Sequence, residues 1–153
     1  MVGHLQRNKV RRVLPLVDLV HSVDSERLAA TLSKEALRLG SSAGCLVQVN
    51  VSGEETKHGL PAEGAVDAIG RICEMPGLDV RGLMTMAPLT ATESLLRKVF
   101  AATRELFYLC GKELPEFTAE HLSMGMSNDF EEAILEGANM VRLGTVIFGE
   151  RKQ

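Results

Sequence analysis

The chain has 153 residues, of which 45% are hydrophobic and 24% charged, and its formal net charge at pH 7 is −3. These values predict one globular domain over residues 1–153, and the mild acidity lacks the basic footprint of a nucleic-acid-binding protein. No apolar run approaches the length of a membrane span, so neither nucleic acid nor a membrane is a predicted partner.

The cysteines and histidines form no recognisable disulfide or metal-binding motif. The three cysteines are widely spaced and the four histidines are scattered, with no C-x-x-C pair and no H-E-x-x-H. An odd number of isolated cysteines is typical of reduced thiols in a cytoplasmic protein. The sequence therefore predicts a cytoplasmic location and no metal site.

A unit of strand, loop and helix repeats along the chain. Apolar or alternating runs predict strands at residues 2–6, 19–23, 45–51, 80–84, 121–124 and 140–143. Helical spacing of apolar residues predicts helices at residues 7–14, 26–39, 62–74, 92–109 and 129–136. Asp24 or Ser25 is a predicted N-cap of the second helix, and Pro61 is the predicted first residue of the third. Ser127 or Asn128 is the predicted N-cap of the last.

Strands that alternate with helices pair in parallel through right-handed crossovers, and about six such units are predicted. Two architectures have this pattern, an open doubly wound sheet and a (β/α)8 barrel. The glycine-rich turn of a doubly wound nucleotide fold is absent after the first predicted strand. Glycine and hydroxyl residues instead follow the last two strands, where TIM barrels often hold a phosphate. The sequence therefore predicts an α/β fold of the (β/α)8 TIM-barrel type, with its first two strands missing.

Two glycine-containing loops lie within residues 122–149, one at residues 125–128 and the other at Gly144 and Thr145. Backbone N–H groups and hydroxyls at a helix N-terminus are the usual components of an anion site. Arg142 lies in an otherwise apolar strand just before the second loop, so its guanidinium must be paired or directed into a site. The alternative is a pair of ordinary turns with Arg142 bonded to a carboxylate, but the repetition of the loop favours a phosphate site.

Six segments in chain order carry a family resemblance: G-H-L-Q-R-N-K, H-S-V-D-S, V-Q-V-N-V-S-G-E-E-T-K-H-G, R-G-L-M-T-M-A-P, L-S-M-G-M-S-N-D-F-E-E-A-I and V-R-L-G-T-V-I-F-G-E-R. They closely resemble the pyridoxal phosphate homeostasis protein family, which is related to the N-terminal barrel of alanine racemase. The resemblance implies a single-domain barrel that binds pyridoxal 5′-phosphate (PLP) at the carboxyl ends of its strands. PLP is the implied partner, and PLP-dependent enzymes are candidate protein partners.

The resemblance assigns the cofactor contacts to seven positions, which are Asn50, Met84, Ser123, Ser127, Arg142, Gly144 and Thr145. It implies that residues 123–127 and the Gly144-Thr145 loop hold the phosphate, that Arg142 faces the pyridine nitrogen, and that Asn50 and Met84 line the cofactor face. His4 and His21 stand at comparable strand ends, where a structural role and a contact with the site are equally open.

The chain departs from the family in one respect. Family members carry a lysine that bonds the cofactor covalently in a first-strand segment of the type V-S-K, followed by an F-G-E-N block, and neither is present. None of the lysines present matches that context: Lys9, Lys34, Lys57, Lys98, Lys112 and Lys152. We therefore expect an N-terminally incomplete barrel with open sheet edges near residues 2–5 and 140–143. Such a chain is expected to dissolve poorly or self-associate, and to bind PLP weakly and reversibly.

The residues favour a cofactor-binding role over catalysis. Racemisation on PLP needs a second acid or base on the opposite face of the ring, and the only tyrosine, Tyr108, lies in a predicted helix where it is expected to pack. The predicted function is therefore non-catalytic PLP binding in cofactor homeostasis. The alternatives are a PLP-dependent amino-acid racemase and a truncated remnant without ligand function.

Overall fold

The computed structural model describes residues 1–54 and 57–149, which form a parallel sheet covered by helices. The strands are β1 (Val20–Val23), β2 (Ala43–Asn50), β3 (Leu60–Pro61), β4 (Leu78–Met84), β5 (His121–Met126) and β6 (Met140–Arg142). The helices are α1 (Val10–Val13), α2 (Glu26–Leu39), α3 (Ala65–Cys73), α4 (Glu93–Glu113), α5 (Phe130–Leu135) and α6 (Thr145–Phe148). Short 3₁₀ turns at Arg7–Lys9 and Leu14–Leu16 flank α1.

The strand order identifies the type of sheet. The strands run β1-β2-β4-β5-β6, every pairing is parallel, and β3 pairs with β2 alone. A doubly wound sheet reverses its strand order at a switch point, whereas a barrel adds each strand next to the previous one. The predicted barrel-type α/β fold is therefore confirmed, as a half-barrel whose edge strands within the described residues are β1 and β6.

The strand predicted at residues 2–6 is wrong. The backbone N–H of His21 donates to the carbonyl of Met1 (2.9 Å), and the terminal amine of Met1 donates to the carbonyl of Leu19 (2.7 Å). These bonds hold the start of the chain beside β1 without continuing into a ladder, because the chain turns into the 3₁₀ helix after residue 6. The described residues thus contain five strand–helix units instead of about six, and β1 forms the first sheet edge among them.

The beginnings of two helices test the predicted caps. Ser25 caps α2 as predicted, because its hydroxyl accepts the N–H of Leu28 at 3.3 Å. Pro61 was wrongly predicted to open α3, which begins four residues later. Leu60 and Pro61 instead pair with the end of β2, since the chain turns back along β2 through Gly59, whose φ is +131°. This two-residue strand has no hydrophobic pattern of its own.

The core lies between the sheet and the long helices. Helix α4 buries one face at helical spacing: Leu96, Val99, Phe100, Thr103, Phe107 and Cys110. Leu46 and Met84 are also buried but lie outside this core, on strands whose neighbouring residues face the helices. Among the described helices, none combines the length and the apolar character needed to cross a membrane.

Candidate functional site

The two glycine loops are joined by a serine. Met126 and Arg142 are register partners near the carboxyl ends of β5 and β6, so the loops that follow lie side by side. The hydroxyl oxygen of Ser127 accepts the backbone N–H of Gly144 at 3.1 Å and that of Val146 at 3.4 Å. A hydroxyl that accepts two hydrogen bonds still has its own O–H to donate. The loops therefore converge as predicted, with Ser127 already bound to the N–H groups of the second.

The cap predicted for α5 is wrong. Neither Ser127 nor Asn128 caps this helix; Asp129 precedes it, and its Oδ1 accepts the N–H of Met126 at 2.6 Å. A short carboxylate can reach the N–H three residues earlier, which closes the turn and leaves Ser127 free to bond the other loop. Glu131 and Glu132 lie in the first helical turn.

Arg142 extends across the sheet to two neighbouring strands. One guanidinium nitrogen donates to the hydroxyl of Ser123 (2.8 Å) and another to the carbonyl of Thr85 (2.9 Å). Burial lowers the pKa of Arg142, and the charge of Asp129 acts in the opposite direction. Among the described residues no carboxylate forms an ion pair with this guanidinium, so the predicted alternative of a carboxylate partner is not what the structure contains. A cation in this position favours an anion or a lone-pair acceptor.

A hydrogen-bonded chain continues from Arg142 to a buried histidine. The Nδ1 of His21 lies 3.0 Å from the Ser123 hydroxyl, and burial lowers the pKa of His21 to about 4, with the charge of Arg142 acting in the same direction. The imidazole is thus neutral near pH 7. We assign Nδ1 as the acceptor of the Ser123 O–H, because the serine oxygen accepts from Arg142. His21 therefore fixes the orientation of the hydroxyl that holds Arg142.

This histidine makes stability depend on pH. The unfolded state takes up a proton near pH 6.5 while the folded state does so near pH 4, so stability should fall on acidification between these values, by at most about 1.4 kcal/mol per pH unit. We expect the stability difference between wild type and His21→Gln to change with pH in this window and to level off outside it. Urea unfolding of both proteins across the pH series measures the difference, in which the carboxylate titrations shared by both proteins cancel. A difference that is constant with pH would contradict the buried neutral histidine.

Two cavities open at the carboxyl ends of the strands, and both include Met126, Arg142 and Gly144 in their walls. The first, of about 320 Å³, is also lined by Ala87, Pro88, Leu89, Ala91, Leu96, Ser127, Asn128, Asp129 and Thr145. The second, of about 590 Å³, is also lined by Val2, Gly3, His21, Met86, Met140, Val141 and Leu143. Both are in the size range of small-molecule sites. Arg142 thus lies at the boundary between two compartments.

The structure brings some of the seven predicted residues together and leaves others apart. Four line the first cavity, and Ser123 is bonded to one of them, Arg142. Asn50 lines neither cavity; its side chain donates to the carbonyl of Glu54 (2.8 Å) and accepts from Ser52 (2.9 Å), within its own loop. Met84 is 1% exposed and is the register partner of Ser123, but it lines neither cavity.

Sequence reasoning missed two residues of the site and left a third undecided. Thr85 and Asp129 were not assigned to it, and His21 could equally have been structural. Thr85 could have been found from its position directly after a buried strand, next to the strand of Ser123. Nothing in the local sequence indicated that its carbonyl, and not its side chain, contacts Arg142.

The lysines and the tyrosine lie outside the predicted cofactor contacts. Lys57 lies in the loop before β3, and its Nζ donates to the carbonyl of Ala87 at 2.5 Å, in the wall of the first cavity. Lys152 lies outside the described residues. Tyr108 is 65% exposed on α4, where its ring contacts the edge of Phe107. It packs as predicted, but on the outer surface.

The strand order and the cavities together define a parallel α/β half-barrel with two cavities at the carboxyl ends of its last strands. Residues 1–152 match the family model of the alanine racemase N-terminal domain, and the chain belongs to this family. The pyridoxal phosphate homeostasis protein of Aquifex aeolicus is 42% identical over 151 residues, which cover 99% of this chain and 66% of the relative. The chain therefore spans just under two thirds of that relative. The predicted family resemblance is confirmed.

Solved structures agree with this assignment. A protein from Bifidobacterium adolescentis superposes with a TM-score of 0.91 at 40% identity, over 96% of this chain and 59% of the other. The structure of PipY from Synechococcus elongatus with PLP bound superposes with a TM-score of 0.87 at 34% identity, over 96% of this chain and 68% of PipY. An alanine racemase from Clostridium difficile, at 20% identity and a TM-score of 0.63, shares the fold.

Proposed function

We propose that this chain binds PLP without catalysing a reaction and serves the intracellular homeostasis of that cofactor. The observation that carries the proposal is Arg142, a half-buried cation without a carboxylate ion partner among the described residues, beside two loops rich in hydroxyl and N–H groups. The names of the curated relatives and the PLP-bound structure of PipY support the choice of ligand.

The residues present fit the chemistry of this ligand. The hydroxyls of Ser127 and Thr145 would hold the phosphate, together with the backbone N–H of Thr145, which Ser127 does not accept. Arg142 would face the pyridine nitrogen, as the family resemblance implies. Asp129 lines the same cavity and opposes an anion there, so the N–H groups and hydroxyls supply the attraction that offsets it.

Bound PLP supplies an electron sink, and Arg142 would weaken it. A guanidinium beside the ring nitrogen disfavours protonation of that nitrogen, because two positive charges would adjoin. Tyr108 lies on the outer surface and offers no base at the cavities, so no observation favours the racemase alternative. Interconversion of alanine enantiomers that is abolished by Arg142→Ala would contradict a non-catalytic role.

The experiment that tests the proposal is a titration of the protein with PLP. We expect the absorption spectrum to depart from that of the free aldehyde and the unfolding midpoint to rise with PLP concentration, because a ligand of the folded state alone stabilises it by mass action. Pyridoxal without the phosphate is the matched control and should bind far more weakly. Equal responses to PLP and to pyridoxal, or no response to either compound, would contradict the phosphate assignment.

Thr145→Val is expected to weaken PLP binding by about 1.5–3 kcal/mol, the scale of a hydrogen bond to a charged group. The exposed hydroxyl of Thr145 has no hydrogen-bond partner among the described residues, so valine removes a donor with little change in shape. Thr31→Val, on the outer face of α2, is the control and should leave affinity unchanged. Equal affinities of the two variants would remove Thr145 from the site.

We further propose PLP-dependent enzymes as the protein partners and the cytoplasm as the location. All three cysteines are free thiols, and burial raises the pKa of Cys45 to about 12 and that of Cys110 to about 11. Unpaired thiols are typical of reducing compartments. Transfer of PLP from the loaded protein to an apoenzyme, faster than from free PLP at the same concentration, would support the partner assignment. Transfer at the rate of free PLP would contradict it.

A further inference from the structure

Three polar side chains from distant parts of the chain meet at the carboxyl end of β1. The Nδ1 of His4 lies 3.1 Å from the Oδ2 of Asp24, and the Nδ1 of His58 lies 3.8 Å from the same oxygen. The two imidazole rings stack, with centroids 4.3 Å apart and planes inclined by 17°. The three ligand atoms lie within 4.8 Å of one another, and none of the three residues lines either cavity described above.

Hydrogen bonding explains only part of this arrangement. The contact of His4 with Asp24 has the length of a hydrogen bond, but that of His58 is too long for one, and the His58 ring makes no other hydrogen bond among the described residues. Ligand atoms of a tetrahedral zinc ion lie about 3.4 Å apart, since zinc–nitrogen and zinc–oxygen distances are about 2.0–2.2 Å. The two observed nitrogen–oxygen spacings lie on either side of this value. Because the stacked rings direct their lone pairs along nearly parallel planes, coordination by both also requires one of the exposed imidazoles to rotate about its side-chain bonds.

The carboxylate is oriented by its neighbour. The Ser25 hydroxyl donates to Oδ1 of Asp24 at 3.1 Å, which leaves Oδ2 directed at the two imidazoles. The carboxylate side chain is 12% exposed, whereas those of His4 and His58 are 46% and 59% exposed. A partly buried oxygen with two accessible nitrogens gives an ion a fixed anchor and an open approach from solvent.

The backbones that carry the histidines are also fixed. The carbonyl of His58 accepts from the buried amide of Gln48 at 2.9 Å, and the carbonyl of Gly3, next to His4, accepts from the hydroxyl of Ser22 at 2.7 Å. Both anchors belong to sheet strands, so the ligands are positioned by rigid elements of the fold.

We propose that His4, Asp24 and His58 form a binding site for a divalent transition-metal ion such as Zn²⁺. Two imidazoles and one carboxylate suit zinc and its neighbours better than magnesium or calcium, which prefer sites made of oxygen ligands. His4 and Asp24 also line a cleft of about 460 Å³, from which water would complete the coordination of a bound ion. The inference is independent of PLP binding and adds a second ligand to the protein.

The test is calorimetric titration of the purified chain with zinc chloride. We expect saturable binding with a stoichiometry of one, which His58→Ala and Asp24→Asn each weaken at least about tenfold, since removing even an outer-shell partner of a metal ligand costs that much. His121→Ala is the matched control: this histidine also faces a carboxylate, Glu120 at 3.4 Å, but no second imidazole, and its loss should leave zinc affinity unchanged. Absence of binding, or binding that His58→Ala leaves intact, would overturn the proposal.

A second measurement separates this site from the cysteines. Bound Co²⁺ should show the visible absorption of a tetrahedral nitrogen–oxygen site, without the near-ultraviolet charge-transfer band of a thiolate ligand. A thiolate band would assign the ion to a cysteine and overturn the proposal. Unfolding midpoints without metal establish that each variant is folded, and His58 lies in a loop where alanine should cost little stability.

Discussion

Gly82→Ala is expected to destabilise the protein by more than about 4 kcal/mol or to prevent its folding, an effect of exceptional size for one methyl group. Gly82 lies in β4, which is flanked by β2 and β5, with a φ of +144° that side chains rarely adopt. A Cβ at this position would lie 1.9 Å from the carbonyl oxygen of His121, its register partner in β5. Backbone on a neighbouring strand cannot move aside without breaking the ladder.

Gly3→Ala is the matched control for this substitution. A Cβ at Gly3 meets no atom within 4 Å, and the residue does not have a positive φ, so the change should stay within about 0.5 kcal/mol. Urea unfolding of both variants, with the soluble fraction on expression as a second measure, tests the pair. A Gly82→Ala protein with the midpoint of wild type would mean that β4 and β5 pair in a different register.

Elements whose signals are local in sequence could be predicted. The cap at Ser25 and the apolar face of α4 each arise from residues within a few turns of one another. The barrel type followed from where the glycine loops fall, and the strand order confirms it. Such features depend on backbone geometry and periodicity, which a single sequence displays.

The sequence did not predict which of several nearby groups a side chain or a short segment bonds to. Ser127 is a residue type that often caps helices, and it stands just before α5, but its hydroxyl accepts the N–H groups of Gly144 and Val146. Asp129 closes the turn before α5 instead, because its carboxylate accepts the N–H of Met126. Likewise, β3 is a strand because its two residues pair with β2, and no sequence pattern in those residues indicates this pairing.

Contacts between residues that are far apart in the chain were the hardest feature to predict from the sequence. His21 and Ser123 are separated by 102 residues, and the hydrogen bond between them depends on the placement of four strands, β1, β2, β4 and β5. The histidines looked scattered, which predicted no metal site, yet the fold places His4 and His58 in stacking contact. Sequence spacing identifies a metal site when its ligands recur at short, regular intervals, as in H-E-x-x-H, and His4, Asp24 and His58 have no such spacing.

Arg142→Met is expected to weaken PLP binding by at least about tenfold while leaving the protein folded, in the range of lost hydrogen bonds to a charged partner. Burial lowers the pKa of Arg142, so its positive charge is costly in this position, and methionine removes that cost. This gain in stability offsets the loss of the hydrogen bond to the carbonyl of Thr85. Ser123 keeps its bond to His21, so the site should not collapse. The concentration dependence of the PLP-induced rise in unfolding midpoint gives the affinity.

Two further arginine variants separate charge from position. Arg142→Lys keeps the charge but loses the planar fork that reaches Ser123 and Thr85 together, so it should bind PLP nearly as weakly as the methionine variant. Arg104→Met removes a guanidinium bonded to the Glu136 carboxylate at 2.8 Å, away from the cavities, and should lower stability without changing PLP affinity. If Arg142→Lys binds as wild type does, the site needs only a positive charge. If Arg142→Met does so as well, Arg142 is a structural residue, and the phosphate loops alone would have to account for cofactor binding.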